Sequence, residues 1–214
     1  MQDHQAPPGK CRIAVEFNLS CPNITDSAPL GYIPDNLLSM LAVTREAVEV
    51  DPTLTIGCKM PPYFYQAQFT NFLHILSSAA IDVNDEKRCP IAFLTSTNTL
   101  GNSLLFSSQS ESATDHSAGF PSPNGVQFAL PTPLGGLGGE NIHALSLGNV
   151  FTFKRLIALG LYIDKGLGDL KIIGVGGVTS KAAVERMKKA GADAVACATL
   201  LGKEGVRAFE ILGK

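Results

Sequence analysis

Five times along this chain a short apolar run is followed by a longer amphipathic one, and no other feature limits its folding options as much. Alternation of Ile13, Val15 and Phe17 predicts a strand over residues 12–18. Leu37, Leu38, Leu41 and Val48 give an apolar face to a helix over 34–50. A strand at 54–59 leads into a helix at 65–79, with Phe69, Phe72, Leu73 and Leu76 on one side. Strand 91–96, helix 147–161, strand 170–175, helix 180–190 (capped by Thr179 or Ser180), strand 194–198 and helix 203–212 complete the series. Regular βα units predict an α/β fold with a parallel sheet, either open or closed into a barrel. Residues 82–89 read as a solvated charged loop. Residues 103–134 are rich in Ser, Pro and Gly and lack helical periodicity, which marks a functional or disordered stretch, with a short strand at 126–130. Residues 1–10 read as a disordered lead-in, leaving 11–214 as one domain.

The polar residues gather just after the strands, where TIM barrels and doubly wound sheets build their active sites. After the first strand comes Asn18-Leu19-Ser20-Cys21-Pro22-Asn23. Pro22 pushes Cys21 out of the helical region, so the thiol falls on an extended turn between two amide side chains. That arrangement suits proton transfer to a polar planar substrate; it is equally the sequence of a turn with a small buried cysteine. Lys59 ends the second strand before Pro61-Pro62, where, taken alone, it could be the Schiff-base lysine of a barrel enzyme. Asn98 and Thr99 follow the third strand, and the asparagines taken singly are turn or cap residues. Gly135-Gly136-Leu137-Gly138-Gly139 suits either a linker or a ligand-edge loop. Gly174-Val175-Gly176-Gly177, between a strand and a helix start, suits a phosphate, with Ala198-Thr199 as the second half of the cradle.

The net charge of −2 gives no reason to expect nucleic acid or an anionic membrane as a partner. With 45% hydrophobic and 17% charged residues, the 214-residue chain can bury a sizeable core. No apolar run is long enough for a membrane span, and residues 1–10 do not read as a signal peptide. Five cysteines in no metal-ligand spacing suggest reduced thiols in the cytosol, so the Asn23-Ile24-Thr25 sequon carries no weight. His74, His116 and His143 form no metal pattern with carboxylates and read as surface or helix histidines. There is no dinucleotide fingerprint with its acidic residue.

Asn18-Leu19-Ser20-Cys21-Pro22-Asn23 resembles the catalytic-loop signature of dihydroorotate dehydrogenases, in the cytosolic class 1A whose base is cysteine. Lys59-Met60-Pro61-Pro62-Tyr63, Thr97-Asn98-Thr99-Leu100-Gly101-Asn102, the glycine loop at 135–139, the turn at 174–177 and Ala198-Thr199 follow in that family's order, from about residue 12 to the end. The resemblance implies a TIM (β/α)8-type barrel, FMN as cofactor, and oxidation of dihydroorotate to orotate in pyrimidine biosynthesis. It implies Cys21 as the base, and Asn18, Asn23, Asn98 and Thr99 as substrate-binding residues. Asn18, Lys59, Thr97, Gly139, Gly176, Gly177, Ala198 and Thr199 would bind the cofactor, with phosphate on Gly176, Gly177 and Thr199 and no metal. The family usually has glycine where Ala198 stands, which puts close backbone approach there in doubt. A small-molecule electron acceptor such as fumarate, a homodimer and a cytoplasmic location follow from the same likeness.

Alternatives in the same or neighbouring chemistry are another pyrimidine-directed flavin oxidoreductase, a barrel lyase using Lys59 as Schiff base, and a non-catalytic remnant. The last is raised by a count: a barrel needs eight βα units in about 250 residues, and this sequence supplies five, aligned from the family's fourth strand onward. The expectation is therefore a partial barrel.

Overall fold

The computed structural model describes residues 13–20, 28–83, 86–109, 120–121, 125–129 and 131–213. Its centre is a five-stranded sheet of β1 (Ala14–Asn18), β2 (Thr55–Lys59), β5 (Phe93–Ser96), β10 (Lys171–Val175) and β11 (Ala194–Ala196), in that spatial order. Every neighbouring pair is parallel. The connections run through α1 (Leu37–Val50), α2 (Gln66–Ser78), α3 (His143–Ala158) and α4 (Lys181–Lys189), and α5 (Thr199–Glu204) and α6 (Arg207–Gly213) follow β11. Each βα unit therefore lies beside the one before it. A doubly wound sheet reverses direction at a switch point; this one never does, which is the winding of a barrel. β1 and β11 do not pair, so the barrel stays open as expected.

Register divides the sheet into two chemistries. Phe17, Cys58, Leu94 and Ile172 are partners across four strands, and Cys58, Leu94 and Ile172 are fully buried on the face that the helices cover. On the other face the Thr95 hydroxyl donates to the Glu16 carboxylate at 2.6 Å. Asn18, Lys59 and Thr95 occupy one register row at the carboxyl end of that face.

The helical layer is locked by aromatics. Tyr63, Phe69, Phe72 and Phe153 pack edge-on or tilted, with centroids 4.9–6.3 Å apart. At this cluster the buried Asn149 of α3 accepts from the Tyr63 N–H at 2.8 Å and donates to the Tyr63 carbonyl at 3.0 Å. The Tyr63 hydroxyl donates to the Gly31 carbonyl at 2.5 Å. The segment after Lys59 is thereby tied to α3. Gln68 accepts from the Phe64 N–H at 2.7 Å and closes the start of α2.

Several sequence expectations need correction. Residues 82–89 are not a plain loop: β3 (Ile81–Val83) and β4 (Glu86–Arg88) pair antiparallel. Glu86, Lys87 and Arg88 are all exposed, so the strand has no apolar alternation to reveal it. The stretch at 103–134 is an excursion framed by β6 (Leu100–Leu104) and β9 (Leu134–Leu137), which pair antiparallel. Within it β7 (Phe120–Pro121) pairs with β8 (Gln127–Phe128), the latter shorter than the strand expected at 126–130. The helix expected from 147 begins at His143, where no side-chain cap marks its start. The single terminal helix is two, divided at Gly205. Ser180, not Thr179, caps α4, its hydroxyl accepting from the Ala183 N–H at 3.3 Å. Residues 1–10 lie outside the described residues. No helix among the described residues is long and apolar enough to cross a membrane.

Candidate functional site

The carboxyl ends of β2, β5, β10 and β11, with the end of the β6–β9 excursion, converge on one cavity. Lys59, Thr97, Asn98, Thr99, Gly139, Gly176, Gly177, Ala198 and Thr199 all line it. Residues separated by up to 140 positions (Thr199 − Lys59) thus share one wall, because parallel βα winding puts all the strand ends on one rim.

The backbone beyond the strands continues the sheet's bonding. Met60 donates to Thr95 and accepts from the Asn98 N–H, both at 2.9 Å. The Thr97 N–H donates to Val175 at 3.0 Å, and its carbonyl accepts no backbone hydrogen bond among the described residues. The Ser96–Thr97 peptide is cis. Beside the cavity Asn98 donates to Asn18 Oδ1 at 3.3 Å and to the Ser20 hydroxyl, while its own Oδ1 accepts from the Thr99 N–H at 2.8 Å. Ser20 donates to Asn18 Oδ1 at 2.8 Å. Asn18, Ser20, Asn98 and Thr99 are one amide and hydroxyl cluster, able to offer donors and acceptors to a planar polar ring. It also borders a second hollow, lined by Ser20, Tyr32, Pro62, Phe64 and Leu100.

Gly176 and Gly177 form the turn after β10 with φ of 122° and 65°. A Cβ on Gly176 would fall 2.0 Å from Ser146 Oγ, and one on Gly177 would fall 2.6 Å from His143 Cβ. No side chain fits at either, so bare backbone faces the cavity. Gly177 N–H makes no hydrogen bond with the described residues. Behind the turn, His143 Nδ1 lies 2.9 Å from the Gly176 carbonyl, and Arg186 Nε donates to His143 Nε2 at 3.0 Å. At the rim Thr179 donates to the Glu140 carboxylate.

Cys21 and Asn23 lie outside the described residues. The remaining anticipated residues fall at the cavity or in the amide cluster. His143 is a helix histidine, as one of the two readings has it: it opens α3 and lies buried on the turn's inner side rather than at the surface. The missed signal was periodicity. His143, Ser146 and Asn149 extend the buried stripe of Val150, Phe153, Leu156 and Ile157 toward the start of α3, and polar residues on an apolar stripe signal a partner. Cys58 and Cys89 are unsuited to base chemistry, since burial pushes their thiols up to about 12 and about 11. Among the described residues no group of three or more His, Cys, Asp or Glu could hold a metal ion.

The family model described as dihydroorotate dehydrogenase matches residues 9–213. Over 200 residues the chain is 32% identical to dihydroorotate dehydrogenase (fumarate) of Saccharomyces mikatae, covering 93% of this chain and 52% of the relative. It is 29% identical to the probable dihydroorotate dehydrogenase A (fumarate) of Enterococcus faecalis, with the same coverage. The chain thus spans about half the length of the curated relatives it matches. A crystal structure of DHODH from Eimeria tenella, in complex with ferulenol, superposes with a TM-score of 0.60 at 18% identity, over 92% of this chain and 47% of that one.

Proposed function

The chain belongs to the dihydroorotate dehydrogenase family, and on that ground we propose that it carries the cofactor cradle and substrate face of an FMN-dependent enzyme that oxidises dihydroorotate to orotate. The observation that carries this reading is the convergence of Lys59, Gly139, Gly176, Gly177 and Thr199 on one cavity, beside the Asn18–Ser20–Asn98–Thr99 cluster.

The donor set fits a flavin mononucleotide. Gly176, Gly177 and Thr199 would hold the phosphate, since a turn without side chains exposes backbone N–H to an anion. Lys59 and the Thr97 carbonyl would hold the ring, the ammonium offsetting negative charge there. Ala198 and Gly139 complete the wall. When bound, FMN supplies the hydride acceptor. The chain's own part is to orient the substrate and take its proton. Asn18, Asn98 and Thr99, together with Asn23, fix a ring that bears amide and carboxylate groups. Cys21 removes the C5 proton as general base. The fumarate in the relatives' names supports a small-molecule acceptor of that type, and the family likeness supports a cytosolic homodimer.

A chimera tests the reading: the half of the Saccharomyces mikatae relative that this chain does not match is placed ahead of it. It should retain FMN through purification and form orotate from dihydroorotate. A chimera that folds yet takes up no flavin contradicts the proposal.

A further inference from the structure

We propose that His143 is a positioning residue for the anion cradle, aiming the Gly177 N–H at a phosphate monoester by holding the Gly176 carbonyl from behind. This rests on the flavin-phosphate reading above and adds a residue to it.

The argument begins with Arg186. A guanidinium has only donors and keeps its protons. Its Nε lies 3.0 Å from His143 Nε2, so Nε2 must accept. The hydrogen of the neutral imidazole then sits on Nδ1 and is donated to the Gly176 carbonyl, 2.9 Å away. The Gly176–Gly177 peptide is trans, the cis bond recorded among the described residues being Ser96–Thr97. In a trans peptide the C=O and the following N–H point in opposite directions. With the Gly176 carbonyl turned back to His143, the Gly177 N–H points away from it. That N–H has no partner among the described residues, and both glycines line the cavity.

The hydrogen bonds form a chain from the Arg186 cation through His143 and the peptide to the cavity. Each bond polarises the next, so positive charge at the far end strengthens the N–H as a donor to an anion. His143 is only 9% exposed, so water competes little for its ring. None of these hydrogen bonds involves a residue assigned to the isoalloxazine ring, so the effect belongs to the phosphate alone.

Comparing FMN with riboflavin, which lacks the phosphate, isolates it. Binding of both is measured by flavin fluorescence on the wild-type chain, His143→Leu and His143→Asn. The wild type should favour FMN. His143→Leu should weaken FMN about tenfold, the scale of one charge-assisted hydrogen bond, and leave riboflavin unchanged. His143→Asn retains an N–H near the Nδ1 position and should keep most of the preference. An unchanged FMN-to-riboflavin ratio in His143→Leu overturns the proposal, as does a parallel loss of both ligands. Should His143→Leu not fold, Arg186→Met, at an exposed position on α4, must lower the ratio in the same direction. A wild-type chain that binds riboflavin as well as FMN overturns the flavin-phosphate reading itself.

Discussion

Asn18, Lys59 and Thr95 share a register row, so the chemistry of this chain is set at single strand ends. Lys59 and Thr97 to Thr99 could be singled out from sequence because each follows an apolar run at once. For His143 periodicity marks burial but not the role, which comes from a carbonyl 33 residues away across a turn. Cys21 as base rests on the family likeness; of the other cysteines, burial keeps Cys58 and Cys89 protonated far above neutral pH. In the barrel-completing chimera, Cys21→Ala should lower flavin reduction by dihydroorotate about 10²- to 10⁴-fold, the usual contribution of a general base, with FMN binding intact. Stopped-flow bleaching of the flavin measures this, and a near-normal rate would place the base elsewhere.

At the scale of elements, α3 bears both the core and the cradle. Asn149 satisfies the backbone N–H and carbonyl of Tyr63, so Asn149→Ala leaves two buried polar groups unpaired. At about 1–3 kcal/mol for each such group, urea unfolding should show a loss of about 2–6 kcal/mol. A loss below about 0.5 kcal/mol, as for an ordinary surface change, would mean that the Tyr63 segment is held by packing alone. The seam between β10 and β11 rests on Asp193, which accepts from the Ile172 N–H and from Lys154, both at 2.7 Å. Burial would raise its carboxyl, but Lys154, the Ile172 N–H and Lys171 outweigh burial and hold it below the usual value. The fold therefore binds this proton less readily than the unfolded chain does. Its contribution is complete above about pH 4 and disappears as pH falls through the lowered folded value. The stability gap between wild type and Asp193→Asn should accordingly shrink on acidification, and a gap independent of pH would contradict the assignment. Elements with a clear period were legible in the sequence, as α2 and β2 were. The β3–β4 hairpin was hidden because its second strand is charged and exposed throughout, and β6 and β9 because their pairing is long-range.

For the whole molecule, counting βα units anticipated both the winding and the opening of the sheet. The consequence is two edges, β1 and β11, that are unpaired among the described residues. On β1, Val15 is 49% exposed, and Ile13 just before it is 80% exposed, where a closed barrel would cover them. Unpaired strand edges with apolar neighbours favour association. The purified 214-residue chain should form dimers or larger species in light scattering, and turn over dihydroorotate far more slowly than the roughly 10 s⁻¹ of a typical enzyme. A monomer with ordinary turnover would mean that five βα units suffice. What the chain should keep without closure is its phosphate cradle, because Gly176, Gly177 and Thr199 belong to neighbouring strand ends of its own sheet. FMN titration of the wild-type chain and of Gly177→Val tests that claim most directly. The account predicts weak, saturable binding to the wild type and a loss of at least about tenfold in the variant, whose side chain would strike His143. Equal FMN binding by both, or none by a folded wild type, would contradict it.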